Sequence, residues 1–274
     1  MDFSVCQNTL PDIWGQEPST TIKFNGCDTA RGDICAWELY YRTFLQYFIN
    51  NASKSYRIKS LHCGESPITL DGFKKIKNKL EYETRAKVDW NYLATGRNIP
   101  DENFIKMVDG TDDLSIENQR AISNRINLTI KTINLIILHN IKNIPGAIAF
   151  TIRNLQNNGC VLINVTDATL DVSLIYLLSC CFKKIKILKL NSSKSTYIYG
   201  EDFNIKLHRK KLSQLDLLTD QKNIITGIFT RPFYRSEHYL EFAELLKAEV
   251  DELNLYNSAY DFNTWKVIYN ADLF

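Results

Sequence analysis

The residue types best equipped for chemistry in this chain are its cysteines, histidines and lysines, and spacing sorts what each can do. The seven cysteines are Cys6, Cys27, Cys35, Cys63, Cys160, Cys180 and Cys181. None forms a C-x-x-C pair and the count is odd, which argues for reduced, buried thiols rather than a disulfide framework. His62 stands directly before Cys63, but neighbours on a strand point to opposite faces. That makes a poor chelate, and no metal is expected there. Lysines and arginines cluster at Lys74, Lys75, Lys77 and Lys79, at Lys183, Lys184, Lys186, Lys189 and Lys194, and at Arg209, Lys210 and Lys211. Such clusters suit phosphate contacts, and exposed tyrosines or Trp37 could stack on a base. Lys183, Lys184 and Lys186 are the candidate RNA contacts. The alternative is an ordinary solvated face, because KKIKILKL already alternates as a half-wet strand must.

These residues need elements to hold them. Residues 1–32, rich in Gly, Pro, Asn and Thr, are expected to form an irregular arm. Asp33 can cap a helix over 36–48, whose apolar residues recur at helical spacing. Residues 56–63 (YRIKSLHC) read as a strand that Gly64-Glu-Ser-Pro67 breaks, followed by a basic helix at 73–80. Residues 88–95 (VDWNYLAT) read as a second strand, and Asp113 opens a helix through about 130. TINLIIL, at 132–138, is the short continuous apolar run expected of a strand covered on both faces. A helix at 146–157 leads to a strand at 160–165 (CVLINV). A further helix, a strand and a short last strand then run to Gly200. Residues 239–255 form an amphipathic helix with an acidic polar face, better suited to packing on protein than on a membrane.

Strands alternating with helices imply an α/β fold with a doubly wound, mostly parallel, Rossmann-like sheet. The divisions are an arm at 1–32, the sheet domain at 33–204, with its helix at the N-terminal side, and a helical C-terminal extension at 205–274. The 274 residues, 45% hydrophobic, are enough for one core with additions. A net charge of +2 gives no strong global field, so any nucleic-acid binding needs a local patch. No run of about 18 apolar residues is present, so no membrane span is expected. The first residues lack a basic stretch followed by an apolar one, so no signal peptide is expected either.

Several segments, in order, resemble the cap ribose 2′-O-methyltransferases, the Rossmann-like family that includes the bacterial FtsJ enzymes. The likeness is closest to metazoan members that modify the second transcribed nucleotide. Cys35-Ala-Trp-Glu-Leu-Tyr-Tyr resembles the family's Lys-Ala-Trp helix, and Leu61-His-Cys-Gly-Glu-Ser-Pro-Ile its cofactor loop, usually Cys-Glu-Ala-Pro-Gly. Trp90-Asn-Tyr-Leu-Ala-Thr-Gly-Arg-Asn resembles its Trp-x-Trp-x-Ala-x-x-Leu-Asn strand and loop. Leu174-Ile-Tyr-Leu-Leu-Ser-Cys-Cys-Phe is similar to its late helix, and residues 189–194 to its Lys-Pro-x-Thr-Ser-Lys strand end.

The resemblance implies a Lys-Asp-Lys-Glu tetrad that orients a ribose 2′-hydroxyl and lowers its effective pKa for attack on a methyl group. Here the four positions fall on Cys35, His139, Asn164 and a place near Ser195 or Thr196. Asp109, in Val108-Asp109-Gly110, is the competing position for the aspartate, because it resembles the family's Ala-Asp-Gly. Glu65, Ser66, Pro67 and Ile68 mark the cofactor loop, with a β-branched residue at Ile68 where the family uses glycine for close approach to S-adenosylmethionine.

The expectation is a catalytically inactive relative, a pseudoenzyme that acts by binding protein or RNA, with no cofactor and no metal. The alternative is an active S-adenosylmethionine-dependent cap methyltransferase with a non-standard site. A protein partner, RNA as a second partner class, no membrane, and an intracellular, nuclear or cytoplasmic location complete the expectations.

Overall fold

The computed structural model describes residues 55–65, 67–96, 102–108, 114–139, 144–164, 181–189 and 196–204. It also describes the short strands at 6–8, 19–23 and 169–171 and the single positions Leu39, Tyr40, Thr43, Phe44, Phe48, Ile175, Leu178 and Glu244. The acidic helix expected at 239–255 lies outside these residues except for Glu244, which is helical.

In chain order the strands are β1 (Cys6–Asn8), β2 (Ser19–Lys23), β3 (Ser55–Glu65), β4 (Lys87–Gly96), β5 (Ile133–Leu138), β6 (Leu155–Asn164), β7 (Thr169–Asp171), β8 (Phe182–Lys189) and β9 (Thr196–Phe203). The helices are α1 (Pro67–Thr84), α2 (Ile116–Leu128) and α3 (Ile144–Asn154). The main sheet has six strands in the order β4-β3-β5-β6-β9-β8. Strands β4, β3, β5 and β6 are parallel, and β9 is antiparallel to both its neighbours. The fold is a doubly wound, Rossmann-like α/β sheet. No helix of the described residues is long and apolar enough to cross a membrane.

The strand sequences show why the sheet is covered on both faces. In β3, Tyr56 and Ile58 are buried while Arg57 is exposed; from Ser60 to Cys63 every residue is buried. The first half of β3 therefore has one wet face and the second half has none. On one face, Leu61, Leu93, Ile136, Leu138, Val161, Ile163 and Ile198 pack with Ile122 and Ile126 of α2, Ile148 and Phe150 of α3, and Ile175, Leu178 and Cys181. On the other, Tyr56, Ile58, Leu135, Ile137, Leu162, Tyr197 and Tyr199 pack with Phe73, Ile76 and Leu80 of α1 and with Leu39, Tyr40 and Phe44. The expected helix at 36–48 is thus represented by described helical positions that bury apolar side chains on this second face.

The structure corrects several sequence expectations. Gly64 does not end β3; the strand continues to Glu65 through a register shift against β4. The cap of α2 is Ser115, whose extended backbone lets its Oγ accept the Asn118 N–H at 3.3 Å; Asp113 lies outside the described residues. Helix α3 spans Ile144–Asn154 rather than 146–157. It stops before Asn-Asn-Gly, where Asn158 has φ +62°, a conformation asparagine tolerates better than most residues. The pairing with β5 then slips between Ile133↔Leu155 and Leu135↔Cys160. The last strand, expected to be short, has eight residues and is inserted between β6 and β8. Within the stretch read as an irregular arm, β1 and β2 join β7 in a second, three-stranded antiparallel sheet. Phe104 makes a one-residue parallel bridge to Ala94, beyond β4.

Candidate functional site

In doubly wound sheets, ligands bind outside the carboxyl ends of the strands where the strand order reverses. Here the chain runs from β3 outward to β4 and then returns to β5, so the reversal lies between β3 and β5. The carboxyl ends that meet there are Cys63–Glu65 and Leu138–His139.

A β-bulge shapes the β3 end. Three residue steps from His62 to Glu65 face two from Ala94 to Gly96, so β3 carries one extra residue. Gly64 supplies it with φ +71°, the left-handed conformation glycine adopts without a Cβ penalty. Its N–H donates to Thr95 Oγ1 at 3.3 Å. The His139 N–H donates to the Cys63 carbonyl at 2.8 Å, so β3 and β5 stay joined one residue past their last ladder pair. The approach is close enough that a Cβ on Gly64 would collide with the His139 carbonyl oxygen.

His139 is the first residue after β5 and is only 8% exposed. Its ring meets Tyr197 edge to face at 5.7 Å and 79°. Asn164 ends β6 and is also 8% exposed. Leu138 and Ile163 are register partners, which puts His139 and Asn164 side by side one step further on. Asn164 in turn pairs with Tyr197 of β9, and Thr196, the first residue of β9, pairs with Lys189. Three of the four sequence-derived tetrad positions therefore gather at one end of three adjacent strands. Cys35, Ser66 and Asp109 lie outside the described residues. Of the loop markers, Glu65 closes β3, while Pro67 and Ile68 open α1, Pro67 at a first-turn position that proline favours.

The bridge at Phe104 bears on the two candidates for the aspartate position. The stretch leading to Asp109 touches the sheet outside β4, whereas TINLIIL is the inner strand β5 beside the reversal. Only His139 directly follows the strand that lies there.

The described groups at this end are an imidazole, a carboxamide and a phenol ring. They can hydrogen bond and can accept a proton; Glu65 closes β3 at the same end and Lys189 closes β8, paired with Thr196. Tyr197 was not singled out from sequence; its signal was the alternation Tyr197–Tyr199 in a strand next to β6.

Below this end, on the α1 side, Ser60 and His62 are fully buried. Trp90 Nε1–H donates to Ser60 Oγ at 2.7 Å, and Ser60 Oγ lies 2.8 Å from His62 Nε2. The His62 ring packs against Phe73, Trp90 and Tyr92. The sheet alternation sends Cys63 to the opposite core, so the adjacent His–Cys pair is divided between the two faces. Among the described residues no three His, Cys, Asp or Glu side chains converge on a point. Cys160 is a buried thiol facing the Tyr199 hydroxyl at 3.7 Å, and burial pushes its pKa up to about 12.

Several of the described lysines in these clusters face acids. On α1, Lys74 pairs with Asp71, Lys77 with Glu81 and Lys79 with Glu83. On β8, Lys183, Lys184 and Lys186 are exposed, but Lys186 is 2.8 Å and Lys184 4.0 Å from the largely buried Glu201 carboxylate of β9. Lys186 also lies over the Tyr199 ring at 5.7 Å.

No family model matches the chain, and no curated protein sequence matches it. Among solved structures, it is similar to a protein described as a ribosomal RNA methyltransferase from Plasmodium falciparum, with a TM-score of 0.37 and 14% identity over 62% of this chain and 96% of that one. It is also similar to an O-methyltransferase family protein from Burkholderia thailandensis, with a TM-score of 0.28 and 9% identity over 63% and 59%. Likenesses this distant assign neither a family nor an activity.

Proposed function

We propose that the chain is a methyltransferase-type domain that has lost methyl transfer and acts by binding a partner. The observation carrying this reading is the pair His139 and Asn164, adjacent at the carboxyl ends of β5 and β6. These are the places where the resemblance to cap ribose 2′-O-methyltransferases puts an aspartate and a lysine. Deprotonating a ribose hydroxyl needs a nearby positive charge to stabilise the alkoxide as it forms. An imidazole beside a carboxamide supplies no fixed cation. At these two positions the charged groups that the resemblance implies are replaced by neutral side-chain types, which supports the loss of methyl transfer, and no catalytic step is assigned.

The partner we favour is a protein. Lys184 and Lys186 share the Glu201 carboxylate, which weakens, without cancelling, the pull of β8 on phosphates. RNA remains the competing partner, and it is separable by salt.

The deciding experiment is calorimetric titration with S-adenosylmethionine, combined with transfer of labelled methyl to capped RNA. The expected result is no transfer and no micromolar cofactor binding. Labelled RNA whose formation stops on His139→Ala or Asp109→Asn would refute the reading. Affinity for capped RNA that falls steeply with added salt would move the partner from protein to RNA.

A further inference from the structure

The main sheet ends in two edge strands, β4 and β8, and the two edges are finished differently. On β4 the Val88 N–H donates to the Glu81 carboxylate at 2.9 Å. The Ala94 N–H donates to the Asn103 carbonyl at 3.0 Å, and the Ala94 carbonyl accepts the Ile105 N–H at 2.8 Å. The chain's own groups thus close part of that edge. Strand β8 has no such closure: among the described residues it pairs with β9 alone. On an antiparallel edge strand, every second residue turns both its N–H and its carbonyl outward. Along Phe182–Lys189 those outward groups form a row of alternating donors and acceptors.

The side chains select what can pair there. Lys183, Lys184 and Lys186 are exposed, Ile185 is half-buried and Ile187 is buried. Strand alternation puts Lys184 and Lys186 on the face of Glu201. Lys183 and Ile185 take the other face, where Ile185 packs against the core beneath α2 and α3. Three ammoniums against the neighbouring carboxylates of Glu201 and Asp202 leave the edge positive. Lysines on an edge deter strands of no charge or of like charge, and the same groups favour an acidic one.

We propose that β8 is a docking edge for an extended acidic segment of a partner protein, which joins the main sheet as a further strand. Two acids at alternate positions meet Lys184 and Lys186, and an apolar residue between them lies beside Ile185. A peptide fits better than RNA, because its backbone answers both the outward N–H groups and the outward carbonyls, whereas a phosphate only accepts. The proposal deepens the reading above by naming the partner's chemistry, and it rests on that reading's choice of protein over RNA.

The test requires neither cofactor binding nor methyl transfer, so it can fail while the loss of catalysis stands, and the reverse. The full-length chain is titrated with a fluorescein-labelled peptide of alternating glutamate and valine, followed by fluorescence anisotropy. Two further peptides carry N-methyl groups, one on the valine amides and the other on the glutamate amides. In an added strand one of these sets faces β8 and the other faces water. A uridine oligonucleotide of the same formal charge is the RNA probe. Lys183→Ser with Lys184→Ser removes charge from both faces of the edge and leaves the Lys186–Glu201 pair in place.

The unmodified peptide is expected to bind. One methylated peptide should bind as it does, and the other about tenfold more weakly or worse, because its backbone donors are blocked. The double variant should bind about fivefold more weakly, the size of two exposed ion pairs. If circular dichroism shows that this variant does not fold, the methylated pair decides alone. Absence of peptide binding, equal affinities of the two methylated peptides, unchanged affinity in the folded variant, or tighter binding of the oligonucleotide than of the peptide would each overturn the proposal.

Discussion

Replacing Gly64 by alanine tests the link between the bulge and the end of β5. Two costs add. At φ +71° a Cβ meets the neighbouring carbonyl, a penalty of roughly 1–2 kcal/mol for an L-residue in the left-handed region. The new methyl would also collide with the His139 carbonyl oxygen. That oxygen cannot move away cheaply, because β5 is paired on both sides, with β3 and with β6. Moving it lengthens the hydrogen bond from the His139 N–H to the Cys63 carbonyl, worth about 1 kcal/mol. The expected loss is about 3 kcal/mol, in the range of substitutions at strained backbone positions. In urea unfolding followed by circular dichroism, a slope of about 2–3 kcal/mol per molar turns this into a midpoint about 1 M lower. Asn158→Ala provides the comparison: it shares the positive φ without the β3–β5 contact, and should lose about 1 kcal/mol. If Gly64→Ala unfolds within about 0.5 kcal/mol of wild type, β3 and β5 are not joined as described, and the site geometry built on that contact fails with it.

Ser60→Ala removes the acceptor of Trp90 Nε1–H and the hydroxyl beside His62 Nε2; it should cost about 2 kcal/mol in urea unfolding, because buried polar groups lose partners. Cys160 has its thiol pKa raised from 9.0 to about 12 by burial, so above pH 9 the unfolded chain sheds a proton that the folded chain keeps. Stability should therefore fall between those values more steeply in wild type than in Cys160→Ala, as measured by urea midpoints against pH. Glu81 accepts the Val88 N–H at 2.9 Å, and this bond, with Lys77 close by, holds its carboxyl below the usual 4.5. Its stabilising contribution is present above 4.5 and is lost as pH falls through the lowered value; Glu81→Gln should flatten that part of the pH–stability curve. Lys131, at φ +64° after α2, donates its N–H to the Ile126 carbonyl at 2.7 Å. Lys131→Gly should raise the thermal midpoint, by about 0.5–1 kcal/mol in stability, because glycine carries no penalty there.

The parts of the fold readable from sequence were those set by local pattern. YRIKSLHC, VDWNYLAT and TINLIIL each show burial directly in their apolar spacing, and each became a strand. His139 could be placed at the end of an inner strand because TINLIIL is too apolar for an edge. The misread parts depend on partners distant in sequence. Nothing local in STYIYGEDF indicates that β9 will lie between β6 and β8. Nothing in STTIK announces pairing with residues 169–171. The Gly64 bulge is a similar case. Glycine before Glu-Ser-Pro reads as a strand break, yet the ladder to β4 and the hydrogen bond from His139 carry the strand through it. The meeting of His139, Asn164 and Tyr197 combines both kinds of signal. His139 was legible as the residue after a strand and Asn164 as a member of the next one, and the third became visible only with the sheet order.

The inserted position of β9 also dictates an order of assembly. Strand β8 touches the main sheet through β9, so it has no place to dock until residues 196–203 have left the ribosome. Phe182 to Lys189 must wait, and vectorial synthesis holds the lysine-bearing strand in water until the strand carrying Glu201 emerges behind it. Its charged side chains keep that waiting segment soluble, as lysines on a strand without a partner generally do.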